Sequence, residues 1–175
     1  PEGTRAYYDY WDKQKRRCLE GYSAGGLEIT GYHYFYLNFT PILAVTDRSG
    51  NSAVKEETFP HFWDGDYNYF WALKIARDGI SEKKLENLQL GFTPKDLNGG
   101  HHLVVLKARG KGYSYKAGSM LARNFALRRK SKNYALADEK EYLTKDGLLT
   151  KAWDTIDHTD AHTAYRQPRL KDTKM

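Results

Sequence analysis

The amino-acid sequence predicts an α/β fold with a parallel sheet. The observations that predict this fold come from the middle of the chain. Residues 101–106 form a short apolar run, and the basic glycine loop 107–112 follows it directly. Apolar residues then recur at helical spacing over 117–127, and a second short apolar run occupies 133–137. A strand, a crossover helix and a second strand form a βαβ unit, whose two strands lie parallel in one sheet.

Helix start and stop signals place further helices along the chain. Thr4 precedes an amphipathic stretch that ends near Gly21. Asp64 or Asp66 is a candidate N-cap for a second stretch, which ends at Arg77. The predicted helices span 4–20, 64–77, 81–90 and 148–157, and another begins at Glu139.

An aromatic antiparallel β region is predicted on the N-terminal side of the sheet. Residues 27–39 alternate and are rich in aromatic side chains, and 42–45 are apolar, so both predict strands. Residues 47–51 predict a hairpin turn. The single domain 1–175 therefore has three parts: a helix with the aromatic strands (1–58), a helical and loop lead-in (59–100), and the glycine loop with the elements after it (101–175).

Composition and charge limit the classes of function that this chain can have. The chain has 175 residues, a net charge of +6 and one cysteine, Cys18, so an internal disulfide is excluded. No apolar run approaches the length of a membrane span, and we expect neither a span nor a signal peptide. Basic clusters at 13–17 and 128–132 fit a polyanion partner, or they are the solvated ends of helices.

The glycine loop has the order of elements that a phosphate-binding P-loop needs. Aligned to the pattern G-x-x-x-x-G-K-S/T, Gly112 takes the second glycine and Ser114 the Ser/Thr position. Lys107 then stands at the first glycine position and Tyr113 at the lysine position. The lysine is therefore displaced to the front of the loop, from where its ammonium group can reach the β- and γ-phosphates. A basic glycine turn of this kind also occurs without any phosphate ligand.

The remaining loop residues have roles in the same interpretation. Backbone N–H groups from Gly110 through Lys111 to Tyr113 would cradle phosphate at the helix N-terminus. The Ser114 hydroxyl would ligate Mg²⁺, and Arg109 would stabilise charge on a transferring phosphoryl group.

Three sequence blocks together resemble the large terminase subunit of tailed bacteriophages. Residues 107–116 resemble its deviant Walker A loop, with the lysine at the front and a Gly-Tyr-Ser step. Residues 31–42, with the segment YFYLNF, are similar to the aromatic block before the ATPase core of some members, and 59–67 to the block after it. In order, these blocks cover about residues 25–145.

The resemblance implies an incomplete P-loop NTPase-type domain that binds ATP and Mg²⁺ and hydrolyses ATP. In the intact protein, hydrolysis would drive double-stranded DNA into a procapsid in the host cytoplasm. The implied partners are the portal protein, the small terminase subunit and further copies of the large subunit. The chain would be the N-terminal part of the ATPase domain.

One expected motif is missing from this chain. A Walker B strand ends in two acidic residues, and the only Asp-Glu pair here is Asp138-Glu139, directly after the second predicted strand. We interpret that pair as an N-cap and an acidic first turn of a helix. We therefore expect this piece to bind nucleotide weakly and to hydrolyse it poorly or not at all.

Two other function classes stay open on the sequence. One is a different P-loop enzyme, a helicase-like ATPase or a small-molecule kinase. The other is a nucleic-acid-binding module whose glycine loop contacts DNA phosphates without ATPase activity.

Smaller signals carry weaker hypotheses. The terminase resemblance implies that Phe62 or Trp63 could stack on adenine. The aromatic run 32–39 could stack on a base, although core packing explains that run better. His158 and His162 have the i, i+4 spacing of a zinc pair but lack a third ligand.

Overall fold

Seven helices and two antiparallel hairpins make up the part of the chain that the structure describes. The structure is a computed structural model, and it describes residues 2–47, 54–108 and 110–167. The helices are α1 (Arg5–Glu20), α2 (Gly31–Phe39), α3 (Asp64–Asp78), α4 (Glu82–Glu86), α5 (Tyr113–Leu127), α6 (Glu141–Thr144) and α7 (Leu148–His162). The strands are β1 (Tyr22–Ala24), β2 (Leu27–Ile29), β3 (Ile42–Asp47) and β4 (Val54–Thr58). The fold is therefore mixed α/β, as predicted at that coarse level.

The predicted N-terminal helix is confirmed as α1, together with its start and stop signals. The Thr4 hydroxyl accepts a hydrogen bond from the Tyr7 backbone N–H at 3.3 Å, which is an N-cap contact. Gly21 follows the last helical residue with φ of 116°, a conformation that side chains rarely allow.

The aromatic segment 27–39 is a strand only at its start, so the prediction of a strand through Phe39 is wrong. Residues 27–29 pair with β1, and Thr30 then caps α2 by accepting a hydrogen bond from the His33 N–H at 3.2 Å. Seven of the nine residues of α2 are buried. A helix enclosed on all sides has no polar face, so its sequence lacks the helical period that would have identified it.

The second predicted strand is confirmed and extends further than expected. Strands β3 and β4 pair antiparallel, with Ile42 opposite Thr58 and Val45 opposite Lys55. The predicted turn falls largely on residues 48–51, which lie outside the described part of the chain.

The described residues contain no parallel sheet, so the predicted βαβ unit is present only as its helix. Helix α5 is confirmed, but 101–106 and 133–137, predicted as strands, lie in irregular chain on either side of it. The side chains of Leu106 and Leu136 are 95% and 94% exposed. A strand needs a neighbour to accept its backbone hydrogen bonds, and neither segment pairs with a strand in the part of the chain that the structure describes.

The other predicted helices are present with shifted ends. Helix α3 has Trp63 at its N-cap position, and Asp64 and Asp66 lie in its first turn. The polar helix 81–90 is confined to the five residues of α4. The helix expected from Glu139 is the short α6, which begins at Glu141, and α7 extends past the expected end to His162.

Helix α2 lies at the centre of the packing, between α1, α3 and the pair α5 and α7. Helices α5 and α7 approach closely at Gly118, where a β-carbon would lie 2.9 Å from the Ala152 nitrogen. The main apolar core joins four helices and the segment after α7; its buried members are Cys18, Tyr34, Phe35, Phe39, Ala122, Ala126, Leu127, Ile156 and Tyr165. Within the described ranges, no helix is both long and apolar enough to cross a membrane.

Candidate functional site

The glycine loop leads into α5 with the backbone geometry of an open helix N-terminus. Gly110 and Gly112 both have positive φ, 75° and 67°, which only glycine adopts without strain. Gly112 is the N-cap residue and offers no side chain to the first turn. The first helical hydrogen bond runs from the Lys116 N–H to the Gly112 carbonyl. The N–H groups before it therefore have no acceptor within the helix.

The residues expected to contact phosphate and metal lie around this N-terminus. The Lys107 ammonium is 5.8 Å from the centre of the Tyr113 ring, so the displaced lysine reaches the first residue of α5. Lys111 and Ser114 are exposed beside it. Arg109 lies outside the described residues. The structure thus brings together the loop residues that it describes, on a surface open to solvent.

A lysine that the sequence analysis did not single out lies beneath the loop. Lys116 is only 3% exposed, although it stands in the second turn of α5. Its ammonium donates to the Lys111 carbonyl at 2.9 Å and pairs with an Asp66 carboxylate oxygen at 2.5 Å. It also lies 4.2 Å from the centre of the Tyr113 ring. A buried ion pair, Lys116 with Asp66, therefore contacts the inner side of the loop.

The three sequence blocks that carry the terminase resemblance meet at this loop. Asp66 belongs to block 59–67 and reaches Lys116 from the first turn of α3. Tyr36 belongs to block 31–42, and its hydroxyl would lie 3.7 Å from a β-carbon at Gly112. Two segments that lie 40 or more residues before the loop in sequence therefore build its floor.

One signal in the sequence could have identified Lys116. It precedes Met120, Arg123 and Leu127 at helical spacing, so it falls on the side of α5 that packs on the core. A lysine on a packed face requires an acidic partner nearby. The partner itself, Asp66, could only be found from the tertiary structure.

A buried histidine lies next to this ion pair. His33 of α2 is fully buried, and its ring stacks against Phe62 and Phe70 with centroids 5.2 and 5.1 Å apart. Neither ring nitrogen has a hydrogen-bond partner among the residues that the structure describes. Burial, and then the charge of Lys116, lower the pKa of His33 to about 4. The imidazole is therefore neutral at physiological pH.

The two basic clusters lie near a common junction between α1 and α5. Arg123 of α5 donates to the carbonyls of Cys18 and Leu19 at 2.7 and 3.3 Å, which ties the two helices together. Exposed cations precede this contact on α1 and follow it after α5: Lys13, Lys15, Arg16, Arg128, Arg129, Lys130 and Lys132. This arrangement is compatible with binding a polyanion.

The smaller hypotheses receive less support from the geometry. Phe62 stacks on His33, which gives it a role in packing, while Trp63 is 67% exposed. The rings of His158 and His162 lie 4.6 Å apart. The described residues contain no group of three or more potential metal ligands among His, Cys, Asp and Glu.

Comparison with protein-family models, with curated proteins and with solved structures finds no match to this chain.

Proposed function

We propose that the glycine loop binds Mg-ATP and that the chain is the N-terminal part of the ATPase domain of a viral DNA-packaging motor, the terminase large subunit. The observation that carries the proposal is the open N-terminus of α5. Two glycines with positive φ precede it, and Lys107 and Ser114 lie beside it. The meeting of the three blocks of terminase resemblance at this loop supports the same assignment.

Each residue has a distinct task in this proposal. The N–H groups at the start of α5 bind phosphate oxygens, and Lys107 neutralises β/γ-phosphate charge. The Ser114 hydroxyl holds Mg²⁺, which would screen the negative charge of the phosphates. Arg109 is proposed to stabilise the transition state from the loop. ATP hydrolysis itself requires an acidic Walker B strand in addition to these residues.

The finer fold that we propose is a parallel sheet completed by further strands. Val104 and Leu106 are 83% and 95% exposed, and Tyr134 and Leu136 on the other side of α5 are 80% and 94% exposed. Exposed apolar chain at the two ends of a packed helix is typical of strands that lack their neighbours. We propose that additional strands pair there, one of them carrying Walker B.

The partners follow from the motor assignment. We propose that the basic clusters at 13–17 and 128–132 face double-stranded DNA, because cations of this density bind phosphates. The intact motor would contain several copies of the subunit and contact the portal protein and the small terminase subunit. It would act in the host cytoplasm.

Nucleotide titration with and without Mg²⁺ tests the proposal. Lys107→Ala should weaken ATP binding at least about tenfold, by removing a charge-assisted contact. Ser114→Ala should weaken it only when Mg²⁺ is present. Lys83→Ala on α4 removes an exposed lysine elsewhere and should leave binding unchanged. Absence of binding to the wild-type chain at millimolar Mg-ATP would contradict the assignment to this loop.

A second candidate, a DNA-binding module without ATPase activity, is favoured by the basic junction of α1 and α5. It predicts salt-sensitive DNA binding that survives Lys107→Ala and ignores ATP. Reversing the charges of Arg128 and Arg129 should then weaken DNA binding. A small-molecule kinase would instead bind nucleotide but not DNA, whereas a helicase-like ATPase would bind both.

A further inference from the structure

The buried ion pair beneath the glycine loop points to a residue that orients the proposed nucleotide site. We infer that Lys116 is a positioning residue, which fixes the Lys111 peptide so that the next N–H group faces the bound phosphate. The inference rests on the proposed function of the loop. It assigns the orientation of the cradle to a lysine outside the P-loop pattern.

The geometry of a trans peptide gives the physical reason. The Lys111 carbonyl and the Gly112 N–H belong to one planar peptide group and point in opposite directions. The Lys116 ammonium donates a hydrogen bond to that carbonyl at 2.9 Å and holds it toward the protein interior. The Gly112 N–H is thereby directed away from the interior, and the carbonyl dipole is kept away from any bound anion.

Asp66 gives this contact its stability. The side chains of Lys116 and Asp66 are 4% and 12% exposed, and a buried ammonium without a carboxylate is strongly disfavoured. The pairing fixes the ammonium group between α3 and the loop, and the Tyr113 ring covers it at 4.2 Å. The orientation of the loop therefore depends on the packing of α3 against α5.

The same pairing means that Lys116 contributes little net positive charge to the site. Asp66 neutralises it, so electrostatic attraction of phosphate falls to Lys107, Lys111 and the helix N-terminus. Loss of Lys116 should then act through the order of the loop. This separates it from Lys107, whose loss should act through charge and should be sensitive to salt.

The test compares loop order and nucleotide affinity in matched variants. The double variant Lys116→Met with Asp66→Leu removes both buried charges together and keeps their volume, which favours a folded protein. Lys74→Met removes a lysine that pairs with Asp78 on the surface of α3, and serves as the control. Thermal unfolding establishes that each variant is folded before it is used.

Two measurements, the order of the loop and the affinity for Mg-ADP, distinguish the possible outcomes. In the ligand-free double variant, backbone NMR relaxation of 110–113 should show order parameters below about 0.6, whereas Lys74→Met matches wild type. Mg-ADP affinity should fall at least about tenfold, at high salt as well as at low salt. A rigid loop in the double variant, or a mobile loop with unchanged affinity, would overturn the positioning role. Failure of the wild-type chain to bind Mg-ADP would instead overturn the proposed function.

Discussion

His33 shows how one buried side chain makes stability depend on pH. Its ring stacks between two phenylalanines and lies within the field of Lys116, which Asp66 partly offsets. The folded protein therefore holds the imidazole neutral, with a pKa of about 4 instead of the ordinary 6.5. Since the unfolded chain takes up the proton more readily, acid favours unfolding between these two values.

The free energy of unfolding should fall as the pH drops from about 6.5 to about 4, by about 3 kcal/mol from this group. His33→Phe removes the titrating ring and retains an aromatic stack, so it should abolish this part of the slope. Urea denaturation at a series of pH values measures the difference between variant and wild type. His102→Phe, at an exposed histidine, is the control and should keep the wild-type slope.

Arg123 of α5 caps the C-terminal end of α1. Its guanidinium group bonds to two carbonyls in the last turn of α1 and lies 4.0 Å from the centre of the Tyr32 ring. Desolvation lowers the pKa of Arg123 to about 10, so the group stays charged at neutral pH. Helix ends need such partners for their free carbonyls.

Arg123→Met should cost about 2 to 4 kcal/mol of unfolding free energy, because two carbonyls at the end of α1, one of them buried, lose a charged donor. Chemical denaturation measures the loss directly. Arg128→Met removes an exposed arginine five positions later on the chain and should change stability by less than about 0.5 kcal/mol. Equal losses in the two variants would show that the capping contacts contribute nothing.

Gly118 decides how closely α5 and α7 approach. A β-carbon there would meet the Ala152 nitrogen at 2.9 Å and the Lys151 backbone at 3.0 Å. Gly118→Ala gains helix propensity but forces two packed backbones apart, so we expect a net loss of about 1 to 3 kcal/mol. Gly65→Ala in α3 has open space around it and should gain up to about 1 kcal/mol. Thermal denaturation of the two variants checks the opposite signs.

The surface of the whole molecule carries exposed apolar side chains on both sides of α5, at Val104 and Leu106 before the helix and at Tyr134 and Leu136 after it. Val104→Thr with Leu106→Thr should leave the free energy of unfolding within about 0.5 kcal/mol of wild type, since both residues are largely exposed. The variant should also self-associate less, which sedimentation velocity measures. Ile75→Thr, at a buried position, should instead destabilise the protein by about 2 kcal/mol.

Much of the local structure could be predicted from the sequence, because its signals act over a few residues. The cap at Thr4, the stop at Gly21 and strand β3 are examples. Helix α5 after the glycine loop is another, since glycines with positive φ precede a clear helical period. The candidate loop residues were found for the same reason.

The tertiary structure decided those features that depend on contacts between residues far apart in the sequence. Segment 31–39 is a helix that its neighbours bury on almost all sides. A helix in such a place needs no polar face, so its sequence lacks the period by which a helix is recognised. Lys116 lies buried beneath the loop because Asp66, 50 positions earlier in the chain, reaches it from α3. The predicted strands 101–106 and 133–137 are irregular because a strand forms only where another backbone completes its hydrogen bonds. The sequence by itself determined where α1 begins and ends and where the glycine loop turns into α5, because these signals act over a few residues. Long-range burial and strand pairing determined the rest.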